Sequence, residues 1–497
     1  MKRAKHSLSN YKLLSCDLGE LVPIGLTEVL AGDSIQQSTN ALIRAAPLLS
    51  PVMHPVNVSI SHWFVPHRLI WDDWESFITG GSDGMDASVF PTMSLAQAQH
   101  AAGTLPDYLG VPPRSGGGDV AVSALPFRGY ALIFNEWYRD QDLVSPLGLI
   151  TTSGTDSTTN RVLQNAAWEK DYFTTSRPWE QKGPAITIPI GTSAPVSGIG
   201  ILDTTVAGAV GTIRETAASS TFTTGVNATT GASIAIEAAA GAIGGSNRPQ
   251  IFADLSNASA VSVNVLREAL ALQRYEEARA RYGSRYIEYL RYLGVRSSDA
   301  RLQRPEFLGG GKATIQFSEV LQTGEGADPV GTLRGHGISS MRSNRYRRFF
   351  EEHGYVFTLL TARPKTIYAS GLPRHWNRRT KEDFWQKELE HIGQQAVLNK
   401  EVRINHASPD GTFGYQDRYD EYRRTFSTIG GEFHTTLDFW HFARQFGSDP
   451  ALNADFVKCV PTEEPFAVPS EDVLQIMARH SIQARRLVCG TGTSFIY

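Results

Sequence analysis

The sequence predicts a mainly β fold interrupted by long insertions, and three observations carry that prediction. The 497 residues include 45 glycines, 25 prolines and nine tryptophans, a composition of turns and extended chain rather than of a helical protein. Val56, Val58, Ile60 and His62 alternate with Asn57, Ser59 and Ser61, which places one side inward and the other outward, as in a half-buried strand. Residues 314–317 (TIQF) and 355–361 (YVFTLLT) read as strands as well.

Taken in order, the chain opens on Lys2, Arg3, Lys5, His6 and Lys12, with no acidic residue before Asp17. This short basic arm reads as a solvated, flexible terminus, with a polyanion or a neighbouring subunit as its sharper target. Trp63, Phe64 and Val65 extend the first strand to Pro66, and Asp72 with Glu75 resembles a capping box opening a short helix through Trp74 and Phe77. Residues 80–86 and 112–119 are Gly-, Ser- and Asp-rich loops. Residues 127–138 (FRGYALIFNEWY) predict a helix with Tyr130, Phe134 and Trp137 on one side. The segment 168–183 (WEKDYFTTSRPWEQKG) precedes a change of composition: from 187 to 262 only Asp203, Arg214, Glu215, Glu237, Arg248 and Asp254 are charged. That stretch is too weakly apolar for a core of its own, yet its Ile and Val content argues against simple disorder. It reads as an insertion looping out of a β domain.

The densest helix pattern follows. Leu266, Ala269, Leu270, Gln273 and Glu277 share a face, Ser262 can cap the start, and Gly283 ends or bends the helix. Tyr286, Tyr289, Leu290 and Leu293 offer a second short apolar face, ending at Gly294. Nine arginines and no lysine lie between 267 and 304, a preference that suits planar pairing with carboxylates, carbonyls or phosphates. The run Gly309–Gly310–Gly311–Lys312 fails as a phosphate loop, because Glu306 and Ala313 stand where glycine and a hydroxyl are required.

From 334 to 381 eleven basic residues face only Glu351 and Glu352, a local balance of +9, with Tyr368 and Trp376 interleaved. Such a mixture suits a neutralised backbone with stacked bases. The whole chain carries only −3, so any contact with nucleic acid is local. Residues 413–424 and 437–446 are dense in aromatics and arginines, Pro461, Pro465 and Pro469 mark a loop, and an extended tail is expected from 482 to 497.

Chemistry is poorly served. Asp417, Asp420, Glu421 and Glu432 have no spacing that sets two of them across a substrate, and His434, Asp438 and His441 could share a face only in a helix. Cys16, Cys459 and Cys489 are too scattered for a disulfide framework or a zinc site, and no apolar run approaches a membrane span. The competing readings are a soluble β-rich carbohydrate-processing enzyme, which needs paired carboxylates in a cleft, and a non-shell host-binding module with one aromatic groove.

Several ordered motifs point elsewhere. Residues 21–33 (LVPIGLTEVLAGD), 63–77 (WFVPHRLIWDDWESF), 134–140 (FNEWYRD), 168–183, 282–311 (YGSRYIEYLRYLGVRSSDARLQRPEFLGGG), 352–357 (EHGYVF) and 368–376 (YASGLPRHW) make the chain similar to the major capsid proteins of microviruses, the small tailless single-stranded DNA phages, in their gokushovirus-like branch. The matches at 413–423 and 437–446 complete the series. The resemblance implies an eight-stranded viral jelly roll, two facing antiparallel sheets with long insertions and short helices. It implies a T=1 shell of sixty copies around circular single-stranded DNA, assembled in the host cytoplasm and residing in the virion, with no cofactor, metal or catalytic residue. Partners implied are a small basic DNA-packaging protein, a DNA pilot protein and a host surface receptor.

On that reading residues 1–186 hold the arm and first strands, 187–262 the threefold surface protrusion, and 263–497 the helical loop, remaining strands and tail, all one elaborated domain. Arg285, Arg301, Arg304, Trp168 and Trp179 are then structural or interface residues. Lys2, Arg3, Lys5, Arg345, Arg347, Arg348, Arg378 and Arg379 are the candidate genome contacts.

Overall fold

The computed structural model describes residues 3–186, 263–324 and 329–490, together with the backbone of seven short strands between 196 and 253. The chain divides into two compact units, Gly183–Glu276 and the remainder. The smaller unit pairs its short strands antiparallel, Ile199–Ile201 with Ile213–Glu215 and Val196–Ser197 with Phe252–Ala253.

The larger unit is a curled antiparallel sheet of ten strands. They are β1 (Ala4–Ser7), β2 (Asn10–Cys16), β3 (Val22–Val29), β4 (Ser34–Ala45), β5 (Val56–Pro66), β6 (Glu306–Leu321), β7 (Leu333–Arg342), β8 (Tyr346–Phe349), β9 (Gly354–Pro364) and β10 (Leu474–Arg486). Eight of them are long, and two, β1 and β8, are four-residue additions. The order is β1/β2–β10–β4–β7–β6–β5–β9–β3, with β8 also on β4. The sixteen-residue β6 joins the halves: Glu306–Ile315 pairs with β5, and Gln316–Leu321 pairs with β7. The two halves curl over a shared core, the jelly-roll arrangement expected from the sequence.

The glycine triplet belongs to this junction. The β6–β5 register shifts between Phe307 and Gly309, where Gly309 adopts φ +146°, so the strand carries a bulge. A Cβ on Gly310 would lie 2.3 Å from the Ile60 carbonyl oxygen, and one on Gly311 2.9 Å from that of Arg342. The triplet therefore lets three backbones approach, a need unrelated to phosphate.

Inside the barrel, alternation sorts each strand into three levels. Ile43 and Ala41 of β4, Ile60 and Val58 of β5, Leu360 and Ala362 of β9, and Ile476 and Ala478 of β10 fill one apolar cluster. Ile35, Phe64, Val356, Ile482 and Ala484 of the same strands fill another with Tyr346 and Phe350. Between them lie Gln37, Thr39, His62, Thr358 and His480, all nearly inaccessible. His62 Nδ1 is 3.0 Å from the Thr358 hydroxyl and its Nε2 3.0 Å from that of Ser343. The Ser343 hydroxyl accepts from the Thr39 N–H at 2.8 Å, and the Thr39 hydroxyl lies 3.0 Å from His480 Nδ1. His480 Nε2 meets the Ile24 carbonyl at 2.9 Å, Gln37 donates to Thr358, and the Tyr346 hydroxyl donates to Gln37 at 2.8 Å.

Insertions supply further cores. Helices α1 (Trp74–Thr79), α2 (Leu105–Leu109) and α3 (Leu125–Ile133) extend from the barrel, and α3 continues as a wider turn over Phe134–Tyr138. Tyr130 and Phe134 are buried there, as the sequence predicts. Arg128 is fully buried, donating to Asp156 at 2.8 Å and to the carbonyls of Ile70 and Thr152.

Several local expectations are corrected. The capping box is absent: Asp73 is the N-cap of α1, and Asp72 instead accepts from the Thr151 hydroxyl. The basic arm is no loose terminus from Ala4 onward, because β1 and β2 both pair with β10. The expected tail begins inside β10, since Ile482 is opposite Gln37 of β4; residues 491–497 lie outside the described residues. Helices α4 (Val263–Tyr282) and α5 (Tyr286–Tyr292) form, and Gly283 follows α4 with φ +99°. The Ser262 cap lies outside the described residues. In α5 the buried residue is Ile287, whereas Tyr286, Tyr289 and, at the C-cap, Leu293 are exposed.

Burial holds the His62 imidazole down to about 3, with the His480 ring adding to the shift, against an ordinary value of 6.5. The unfolded chain thus binds a proton that the folded chain refuses, so stability is full above about pH 6.5 and is lost as pH falls toward 3, by up to about 1.4 kcal/mol per pH unit. Melting temperature followed from pH 7 to pH 4 falls, and in His62→Gln that fall is shallower. Arg128→Met leaves the Asp156 carboxylate buried without its partner and costs about 3–5 kcal/mol, read by chemical denaturation.

Candidate nucleic-acid interface

Residues pointing away from the core on β1, β2, β10, β4, β7 and β8 share one face, and the pairing register aligns them across strands. Tyr11, Arg479, Asn40 and Arg342 form one row across β2, β10, β4 and β7. Two residues along lies Leu13–Met477–Leu42–Ser340, and two further Ser15–Gln475–Arg44–Ile338. Toward the opposite end Lys5 pairs with Arg485 and Arg347 with Gln36.

The outward positions on these strands and on the adjoining half of β6 carry seven cations, Lys5, Arg44, Arg334, Arg342, Arg347, Arg479 and Arg485, and no carboxylate. Lys5, Arg44, Arg342, Arg347 and Arg485 are exposed and make no ion pair among the described residues. The Arg479 guanidinium lies 5.6 Å from the Tyr11 ring centre, and Arg3 lies 4.9 Å from that of Phe349. Planar, permanently charged guanidinium groups beside exposed aromatic rings are suited to a polyanion whose backbone is neutralised and whose flat groups can stack.

The residues singled out in the sequence divide. Arg3 and Lys5 are exposed beside this face, Arg345 contacts the Gln36 amide, and Lys2 lies outside the described residues. Strand alternation then separates Arg347 from Arg348, which turns away to pair with Glu306 at 2.8 Å. Arg378 is held by Glu421 at 3.5 Å and by the Tyr422 ring at 4.4 Å, and Arg379 donates to the carbonyls of Trp376 and Arg378. Arg363, Lys365 and Arg374 meet the Ala167 carbonyl, Glu169 and Glu401. The +9 stretch is thus partly balanced by carboxylates distant in sequence. Lys12 is also engaged: burial lowers it to about 8, and its ammonium donates to the Pro23 carbonyl at 3.0 Å.

Arg285 donates to the carbonyls of Asn135 and Arg139, pinning α5 to the turn after α3. Arg304 pairs with Asp299 at 2.8 Å and lies 3.8 Å over the Trp137 ring, and Arg301 is exposed. Trp168 is buried beside Arg444, and Trp179 is half-buried under Lys182. Asp417 pairs with Arg281, Asp420 with Arg423 and Arg424, and Glu421 with Arg374 and Arg378. His434 and His441 sit at separate short turns rather than on one helix, and no metal-holding group of His, Cys, Asp and Glu occurs among the described residues.

Sequence reasoning missed Arg44, Arg479 and Arg485. Arg44 lies on β4 and the other two six residues apart on β10, and only the pairing of these strands assembles them on one face. The available signal was weak: alternating small, apolar and basic residues in 474–486.

Comparison with known proteins fits this architecture. The model of a family described as capsid protein (F protein) matches residues 1–494. Capsid protein VP1 of Bdellovibrio phage phiMH2K is 35% identical over 467 residues, covering 91% of this chain and 87% of that protein. Its counterparts in Chlamydia phage 1 and Spiroplasma virus 4 are each 32% identical, over 95% and 92% of this chain and 92% and 87% of their own lengths. No helix among the described residues is long and apolar enough to cross a membrane. A jelly-roll-like barrel and a match along nearly the whole chain lead to one conclusion: this chain belongs to the capsid protein (F protein) family, as a structural protein of microvirus type and not an enzyme.

Proposed function

We propose that sixty copies of this chain close into a T=1 icosahedral shell around circular single-stranded DNA, with the cationic sheet face turned toward the genome. The observation that carries the inward face is the set of seven outward cations without a carboxylate among them. Each copy supplies few phosphate contacts, but symmetry repeats them, so modest local attraction becomes strong retention. On this reading Arg3, Lys5, Arg345 and Arg347 join Arg44, Arg342, Arg479 and Arg485 as genome contacts, while Arg348, Arg378 and Arg379 have intrachain partners and leave the set.

Exposed Tyr286 and Tyr289 of α5 and Leu293 at its C-terminal end, with Arg301 nearby in sequence, are suited to contacts between copies, and Arg285 and Arg304 hold that segment in place. The low-charge insertion at 187–262 is assigned to threefold protrusions that meet a host surface receptor. A small basic DNA-packaging protein and a DNA pilot protein complete the particle, which assembles in the host cytoplasm before residing in the virion.

Expression of the full chain, followed by sizing chromatography and electron microscopy, tests the shell. Sixty chains of 54.5 kDa give closed particles of about 3.3 MDa. Small oligomers alone, even on co-expression with the neighbouring viral genes, overturn it. For the genome face, Arg347→Glu with Arg479→Glu lowers the nucleic acid retained per particle while particles still form. Unchanged retention removes this face from the proposal.

A further inference from the structure

Across the middle of the cationic face runs a row of a different character. Leu13 is 77% exposed and Met477 40% exposed, paired with each other and, through Met477, with Leu42. Together they line a shallow depression of about 580 Å³. An exposed apolar row is costly in water, and here it is bracketed by charge: Arg44 stands in the row on one side, and Arg479 with Tyr11 in the row on the other. A strand rises about 3.4 Å per residue, so each flanking row lies about 6.8 Å away, close to the repeat of an extended sugar-phosphate backbone.

The geometry points to the depression between Leu13, Leu42 and Met477 as a seat for one unpaired nucleobase, with phosphates of the same strand held by Arg44 and Arg479. This rests on the reading of this face as the genome side. Charge complementarity selects the occupant: cations stand in both flanking rows and no outward strand position carries a carboxylate, the nearest being Asp472, which precedes β10 and accepts from the Ser15 hydroxyl at the far end of the Arg44 row. This balance favours a polyanion carrying flat apolar groups. Tyr11, 65% exposed with Arg479 against its ring, extends the stacking surface to a second base. Seating requires no particular sequence, because every base offers a flat face, and bases exposed for stacking belong to single strands.

The test uses the full-length protein and two fluorescein-labelled 20-mers, oligo-dT and an abasic strand of equal charge, titrated over a range of salt concentrations. The seat predicts that oligo-dT binds about tenfold more tightly than the abasic strand, and that Leu13→Ser with Met477→Ser removes this preference while leaving the salt slope unchanged. Arg44→Gln with Arg479→Gln lowers the salt slope for both strands. Equal affinity of the native protein for both strands overturns the seat and leaves a phosphate-only surface. Binding of neither strand instead overturns the genome-side reading. Should the Leu13/Met477 variant keep the dT preference but fail to form shells, the row is a contact between copies and the seat is wrong. Unchanged melting temperature of the variant secures each comparison.

Discussion

The barrel depends on its buried polar layer. Two apolar sheet faces can slide or rotate over one another at little cost, because dispersion and burial are not directional. His62, His480, Gln37, Thr39, Thr358 and Ser343 remove that freedom by hydrogen-bonding across the interior at defined positions on β4, β5, β9 and β10 and just after β7. A slip of one residue on any of these strands would bury a histidine or glutamine against isoleucine and leave partners unsatisfied, at about 1–3 kcal/mol for each orphaned group. The close approach of β3 to this layer sets the same limit: a Cβ on Gly25 would sit 2.8 Å from the His480 ring.

Once the interior fixes the register, the exterior is fixed with it. Residues 478, 480 and 482 of β10 face inward as Ala, His and Ile, so Met477, Arg479 and Gln483 face outward. The arrangement that places His480 beside Thr39 also brings Arg479 opposite Asn40 and Met477 opposite Leu42. The cationic rows are therefore a consequence of core specification, and strands distant in sequence contribute to one surface without any loop having to be ordered.

This explains what was legible in the sequence. Local patterns were: the alternation at 56–62 is β5, FRGYALIFNEWY is α3 with its wider last turn, and Gly283 ends α4 by adopting a left-handed conformation. Non-local pairing was not. Ala4–Ser7 looks like a solvated basic terminus until β10 supplies its hydrogen-bond partners, and 482–486 looks like a tail until β4 does. Basic density was equally misleading from 334 to 381, because Glu306, Glu169, Glu401 and Glu421, all outside that window, meet several of its cations. Sequence clustering measures proximity along the chain, whereas a sheet face is assembled at two-residue intervals from separate segments.

The near-neutral total conceals the asymmetry that a container for a polyanion requires. The chain carries 47 Lys and Arg against 50 Asp and Glu. Setting aside the seven outward cations leaves 40 against 50, so the rest of the protein has a formal charge of −10. A uniformly basic coat would attract nucleic acid to every face and would repel its own copies at the distances over which they assemble. Concentrating cations on one curved sheet, and pairing or outnumbering them elsewhere, gives the subunit an electrical polarity before any partner binds. On the proposed reading of this face the attraction depends on salt, because each phosphate contact would release a condensed counterion, whereas the polar layer that holds the face in shape is buried and scarcely screened. Changes in ionic strength can thus loosen the polyanion without loosening the barrel.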